Sequence, residues 1–306
     1  MGFDTHTLPE WAVWSRYDHH SNSGMQQPFI KQLMRKNYPE VQDPPGVRMI
    51  AGKGAETSAV GPLVKGMVFE EAFHHSMASL DTHQSPTHIP DDEKLYKIIR
   101  DHPYKIEKDE KTGEVLSQET IFELTCRHTL EGLQEATQGA NLVEHGRWIS
   151  VQLPGCELWF MGEIDIEAGG GLVEIKTSWP GIHANAKQGF KIKSLPARPD
   201  KWHVRQVALY WKFLRQQAQE VPVKLVYANC KGFRVFSSED CAELSEASLS
   251  EALSWLAAEA RNRENILRKA NSTKELFQLV PREADHWMWK NAPPELKQLR
   301  DQLCTK

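Results

Sequence analysis

The chain has only five cysteines in 306 residues (Cys126, Cys156, Cys230, Cys241, Cys304), widely scattered and with no Cys-x-x-Cys pair. A zinc ribbon or an iron–sulfur cluster therefore has no obvious ligand set. The odd count fits reduced thiols in a cytoplasmic-type compartment better than a disulfide scaffold. No apolar run approaches the roughly 20 residues needed to span a bilayer, and the first twenty residues lack the apolar core of a secretion signal. The expectation is a soluble, cytoplasmic protein with no membrane partner. Internal repeats and low-complexity tracts are missing too. Glycine, at 19, and proline, at 17, are near average usage, which excludes a fibrous repeat and gives no sign of disorder. An excess of positive charge is missing: the net charge of -4 argues against a protein that coats nucleic acid indiscriminately, though not against an enzyme with its positive charge in one groove. What remains, 40% hydrophobic and 25% charged, is globular material for one large domain or a catalytic core with an added segment.

The first 45 residues are punctuated by His19-His20, Ser21, Ser23 and Pro44-Pro45 around one expected helix, Phe29 to Arg35. From Gly52 to about Leu80 the pattern is helical, with an interruption expected at Gly61-Pro62. Residues 84–114 read as a helix, Asp92 to Arg100, between polar loops. A long helix, Gln118 to Ala136, precedes a change of period. Three strands follow, Val143–Leu153, Glu157–Glu167 and Leu172–Ser178, with Pro154-Gly155 and Gly169-Gly170-Gly171 as turns. Residues 180–200 form a basic loop, and Asp200 stands where a helix N-cap belongs. The helix it starts places Val204, Val207, Ala208 and Trp211 on one buried face, with Leu214 continuing it. Strands are expected at Val223–Tyr227 and Phe233–Phe236, and a helix from Leu244 to about Lys269. The tail, 280–306, with Trp287 and Trp289, gives no firm assignment. Helix, three strands, helix, strand implies an α/β sandwich on a central mixed β-sheet flanked by helices, with an added N-terminal helical segment.

The stretch richest in chemistry is Gly162 to Ser178, GEIDIEAGGGLVEIKTS. With Ala168–Gly171 as hairpin loop, Glu167 pairs with Leu172 and Asp165 falls opposite Glu174. Opposed side chains in an antiparallel pair sit about 4.5–5.5 Å apart at Cβ. Two carboxylates at that distance repel, and a divalent cation removes the penalty, since hard oxygen ligands suit Mg²⁺ or Mn²⁺. Period two puts Lys176 on the face of Glu174, while Val173 and Ile175 point the other way. A lysine beside a metal-bound water can orient it and stabilise charge developing on a scissile phosphate. The competing reading of the same alternation is a polar outer face with a Glu–Lys ion pair.

An acid at the end of one strand followed by Glu-x-Lys on the next resembles the PD-(D/E)XK nuclease superfamily. The form G-x-x-D…V-E-I-K-T is similar to its RecB-like and lambda-exonuclease-like members. The resemblance implies a restriction-endonuclease-like core with Asp165 and Glu174 binding metal, the Ile175 carbonyl as a further ligand, and Lys176 assisting the attacking water. RecB-like enzymes also carry Gln-x-x-x-Tyr on the next helix, matched here by Gln206 and Tyr210, whose i, i+4 spacing puts them on one face. Those two side chains could contact phosphate or brace the lysine. A further ligand is expected from an upstream helix. Glu56, in Ala51-Gly52-Lys53-Gly54-Ala55-Glu56, resembles the lambda-exonuclease-like entry to that helix. His128, in CRHTLEG, is the alternative, although position 124, where a glycine is expected, is leucine. The resemblance covers mainly residues 117–229, with 52–72 as a separate match.

Between Lys176 and the Gln-x-x-x-Tyr helix lie Lys187, Lys191, Lys193, Arg198, Lys201 and Arg205, with Asp200 the only acid among them. A basic cluster beside a carboxylate site is the charge distribution expected for tracking a phosphate backbone, and Trp179 and Trp202 could stack bases there. Taken together, the expectation is an Mg²⁺-dependent DNA exonuclease of recombination, repair or phage DNA processing, without zinc or an iron–sulfur cluster. A homo-oligomer or a single-strand-annealing partner fits the resemblance. Two rivals stay open: a structure-specific or restriction-type endonuclease on the same core, and an inactive DNA- or protein-binding module. Residues 1–116 are expected to form an N-terminal helical segment contributing one active-site helix, and 117–306 the nuclease core with a C-terminal helical extension, the two making one compact unit.

Overall fold

Between residues 118 and 269 the long helices and the five strands of the main sheet form close to where the period of the hydrophobic pattern predicts them. A computed structural model of the chain describes residues 8, 20–38, 47–73, 118–140, 143–178, 181–182, 190–191, 194–218, 220–289 and 292–304. A single helical turn, Asn22–Met25, precedes three longer helices: α1 (Phe29–Asn37), α2 (Val47–Lys65) and α3 (Gln118–Thr137). The three-strand run follows as β1 (Val143–Val151), β2 (Phe160–Ala168) and β3 (Gly171–Thr177). Next come α4 (Lys201–Leu214), β4 (Val223–Asn229), β5 (Gly232–Ser237) and α5 (Glu246–Lys269), then α6 (Thr273–Leu279) and α7 (Pro294–Leu303). Asp200 caps α4 by accepting from the Trp202 amide at 2.8 Å.

The sheet runs β1-β2-β3-β4-β5. Its neighbours are antiparallel except β3 and β4, which are parallel. Parallel neighbours need a crossover, and α4 supplies it. Val204, Val207, Ala208 and Trp211 pack from α4 onto Leu172, Val223, Leu225 and Tyr227, joined by Leu249 and Leu256 of α5. The opposite face is covered by α2 and α3, through Ala59, Val60, Leu133 and Ala136 against Ile166, Val173, Ile175 and Val226. The fold is α/β, with a five-strand mixed sheet between helical layers.

Three features depart from the sequence reading. The α2 helix runs through Gly61-Pro62 and breaks instead at Gly66, whose φ is +64°. The basic stretch contains two short antiparallel strands, Gly181–Ile182 and Phe190–Lys191. The tail forms α7, with Trp289 buried in a second core that joins Ile30, Leu33 and Met34 of α1 to Leu267, Phe277 and Leu296. Within residues 1–116, α1 packs with the C-terminal helices, while α2 packs on the sheet. The expected helix Asp92 to Arg100 lies outside the described residues. No helix among the described residues is long and apolar enough to cross a membrane.

Candidate active site

Leu172 belongs to the core on the α4 side of the sheet, and Val173 and Ile175 to the core on the α2–α3 side. Strand period therefore directs Glu174 and Lys176 towards α4. On β2 the alternation reverses. Phe160 and Ile164 belong to the α4 side and Ile166 to the other. The reversal falls at Asp165, opposite Gly146 (φ +74°), and neither takes part in the β1–β2 pairing on either side of it. The β2–β3 pairing ends at Ile166↔Val173. Beyond it the Asp165 carboxylate, not a β2 carbonyl, accepts the Ile175 amide, at 2.8 Å from Oδ2. Asp165 thus meets Glu174 across an opened ribbon rather than across the regular pair that the loop register alone implies.

Glu174 is wholly buried. Its Oε1 accepts from the Lys176 ammonium and, at 2.6 Å, from Gln206 Nε2, while its Oε2 is buried with no hydrogen-bond partner. Burial first, and then the Asp165 charge, push the Glu174 carboxyl well above the usual carboxylate range. Gln206 Nε2 also donates to Tyr210 Oη at 3.0 Å, so this pair braces Glu174, not Lys176. The Tyr210 ring fits against β2 because position 162 is glycine: a Cβ there would lie 2.8 Å from Tyr210 Cε1. Burial opposes the charge on Lys176, but the carboxylates of Glu174, Asp165 and Glu56 outweigh it and hold its pKa above the ordinary lysine value.

Glu56 reaches this group because α2 crosses β3 closely. A Cβ on Gly52 would stand 2.9 Å from Thr177 Oγ1, and Glu56 lies one turn further along the helix. His128 is engaged elsewhere, with Nδ1 2.8 Å from the Asn229 carbonyl oxygen at the end of β4. The amides of Leu172 and Ser178 donate towards β4 and its flank. Residues of odd number on β3, Ile175 included, turn their N–H and C=O towards β2, where the ribbon has opened.

Of the six basic residues, the side chains of Arg198, Lys201 and Arg205 are described. Lys187 and Lys193 lie outside the described residues, and Lys191 is described only as backbone in the short hairpin. Arg198 and Lys201 are exposed near the start of α4. Arg205 is taken up by packing: its guanidinium carbon lies 3.4 Å from the Trp255 ring centroid and 4.3 Å from that of Trp202. Trp202 is thereby committed to the α4–α5 seam, Trp211 is core, and Trp179 lies outside the described residues. His20 is buried, and its Nε2 donates to Glu264 Oε1 at 3.0 Å.

Two side chains at the site escape the motif reading. Tyr227 stands opposite Lys176 in the β3–β4 register, and its Oη lies 2.8 Å from His203 Nδ1. His203 precedes Gln206 by three residues, and that i, i+3 spacing was the available signal. The donor set as a whole is rich in hard oxygen. Three carboxylates act on one ammonium, and a buried carboxylate oxygen lacks a partner. That composition fits Mg²⁺ or Mn²⁺, although no three His, Cys, Asp or Glu side chains gather as a ready ligand group among the described residues.

No family model matches the chain. No curated protein matches it either. A solved structure, that of SSO0001, is similar over 78% of this chain and 88% of its own, at 14% identity and a TM-score of 0.25. A likeness that slight carries no conclusion about fold family or function.

Proposed function

We propose that the chain is a divalent-metal-dependent nuclease with a PD-(D/E)XK-type core, acting as an exonuclease on DNA. The observation that carries this reading is the convergence at the opened β2–β3 ribbon. Asp165, Glu174 and Lys176 meet there, with Gln206 and Tyr210 holding Glu174 from the crossover helix. The order α3-β1-β2-β3-α4-β4, with β3 and β4 parallel, supports the same core. Asp165 and Glu174 would hold Mg²⁺, with Glu56 and the Ile175 carbonyl as the nearest further oxygens. When bound, the ion supplies Lewis acidity towards a phosphoryl oxygen and lowers the pKa of water. Lys176 sets a positive charge where negative charge grows on the phosphate. Gln206 fixes the rotamer of Glu174, and Tyr210 fixes Gln206.

The test is cleavage of linear and covalently closed DNA in Mg²⁺. The wild-type chain degrades the linear form only, because an exonuclease needs an end. Lys176→Ala lowers the rate by about 100-fold or more, the scale set by removing one charge-stabilising donor, with the circular dichroism of a folded chain retained. Undiminished cleavage by that variant removes the lysine from the mechanism. Cutting of the closed circle makes the enzyme an endonuclease. DNA binding without any cleavage makes it an inactive module.

A further inference from the structure

His203, Gln206 and Tyr210 share one face of α4 at i, i+3 and i+7. His203 Nδ1 lies 2.8 Å from Tyr227 Oη, and the Asp200 amide donates to the same oxygen at 3.0 Å. A phenol has a single hydrogen to give. The amide occupies a lone pair, and among the described residues Nδ1 is the acceptor within reach of the Tyr227 hydrogen, which is therefore directed at it. Nδ1 therefore accepts, and in the neutral imidazole the ring proton sits on Nε2. Burial, helped by the Lys176 charge, brings the imidazole down to about 4, so the ring is neutral at physiological pH. Nε2 has no partner among the described residues, and His203 is partly exposed. Tyr227 and Lys176 are cross-strand neighbours on the α4 side of the sheet. A neutral N–H donor of fixed tautomer thus stands beside the ammonium. It cannot act as a base, since Nδ1 is occupied and Nε2 carries the proton. A donor of this kind suits an acceptor-only anion.

We propose that His203 is a second substrate-contacting residue, whose Nε2–H, held in place by Tyr227, donates to a non-bridging phosphate oxygen of the nucleic acid next to Lys176. This rests on the nuclease reading for its ligand class, and it can be tested apart from cleavage. The probe is a fluorescein-labelled DNA oligonucleotide, titrated in Ca²⁺ against the full chain and three variants. His203→Gln keeps an N–H near the Nε2 position, and His203→Asn keeps an acceptor near the Nδ1 position. Expected are a Kd raised about tenfold by His203→Ala, recovered by Gln and not by Asn. Nitrogen-15 NMR of the free wild-type protein shows His203 as the Nε2–H tautomer from pH 5 upward, and Tyr227→Phe mixes the tautomers. The inference is overturned if Asn restores binding and Gln does not, because the imidazole then only props Tyr227. It is overturned equally if His203→Ala binds like wild type, or if the wild-type chain does not bind the oligonucleotide. The nuclease reading fails separately, on absence of Mg²⁺-dependent cleavage by a wild-type chain whose binding still follows the Ala, Gln, Asn pattern.

Discussion

Glu174 is fully buried, faces Asp165, and leaves Oε2 without a donor. An unsatisfied buried polar atom costs about 1–3 kcal/mol, so the residue most central to the proposed chemistry weakens the fold. Glu174→Gln keeps the Oε1 that accepts from Lys176 and Gln206, removes the charge facing Asp165 and offers that carboxylate an N–H. The variant is expected to be more stable than wild type in chelator at pH 7, by about 1–3 kcal/mol, while losing Mg²⁺-dependent cleavage. The sign of its pH dependence follows from the raised carboxyl. Below the ordinary glutamate value of 4.5 both folded and unfolded wild type hold the proton, and the gap to Gln is small. As the pH rises past that value the unfolded chain releases the proton before the folded one, so wild-type stability falls and the gap widens. Urea titrations at pH 4 and pH 7.5 measure it. A variant less stable than wild type at the higher pH would remove the claim that the site is strained for function.

At the scale of elements, the site depends on two close approaches that only glycine permits. Gly52 lets α2 touch β3 at Thr177, and Gly162 lets the Tyr210 ring of α4 touch β2. Gly162→Ala places a methyl 2.8 Å from Tyr210 Cε1, too near for either to stay. Overpacking of this kind costs about 1–3 kcal/mol, and displacing the ring breaks the 3.0 Å bond from Gln206 that steadies Glu174. Thermal melting should show the loss, and cleavage should slow. Adding Tyr210→Leu to Gly162→Ala should restore the melting temperature but not the rate; recovery of both would show that Tyr210 only fills space. The sequence makes part of this arrangement legible. Asp165, Glu174 and Lys176 come together through strand period and one glycine loop, and Gln206 joins Tyr210 through helical period, all of which are local. The reversal at Gly146 and Asp165 is hidden, because the residues around it keep alternating as a continuous strand would. The choice between Glu56 and His128 turns on how α2 and α3 cross the sheet, a tertiary fact. Tyr227 comes beside Lys176 only through the parallel β3–β4 pairing, about fifty residues away in the chain, and no short motif encodes that.

At the scale of the molecule, α5 ties the N-terminal helix to the strands that carry the site. Arg263 spends its guanidinium on the carbonyls of Gly24, Met25 and Gln27 and on the side chains of Gln32 and Glu259. Its neighbour Glu264 accepts from His20 Nε2 and from the amides of Glu157 and Leu158 in the β1–β2 connection. Burial would raise the Glu264 carboxyl, yet His20 and the two amides outweigh it and hold the pKa below the usual value. Three donors buried around one carboxylate are stranded together when it is removed. Glu264→Ala is therefore expected to cost about 3–5 kcal/mol, the scale for breaking a buried pair from one side, and Glu264→Gln less, since one acceptor oxygen remains. Leu158, in the same connection, belongs to the core shared by α1 and the C-terminal helices. The strain should accordingly spread through both cores rather than release the N-terminal helix alone. Urea unfolding followed by tryptophan fluorescence and by far-ultraviolet dichroism should give one coincident transition, shifted to lower urea in the alanine variant. Two separated transitions, or early proteolysis confined to residues 20–38, would mean that α1 is an independent attachment and that the sheet stands without it.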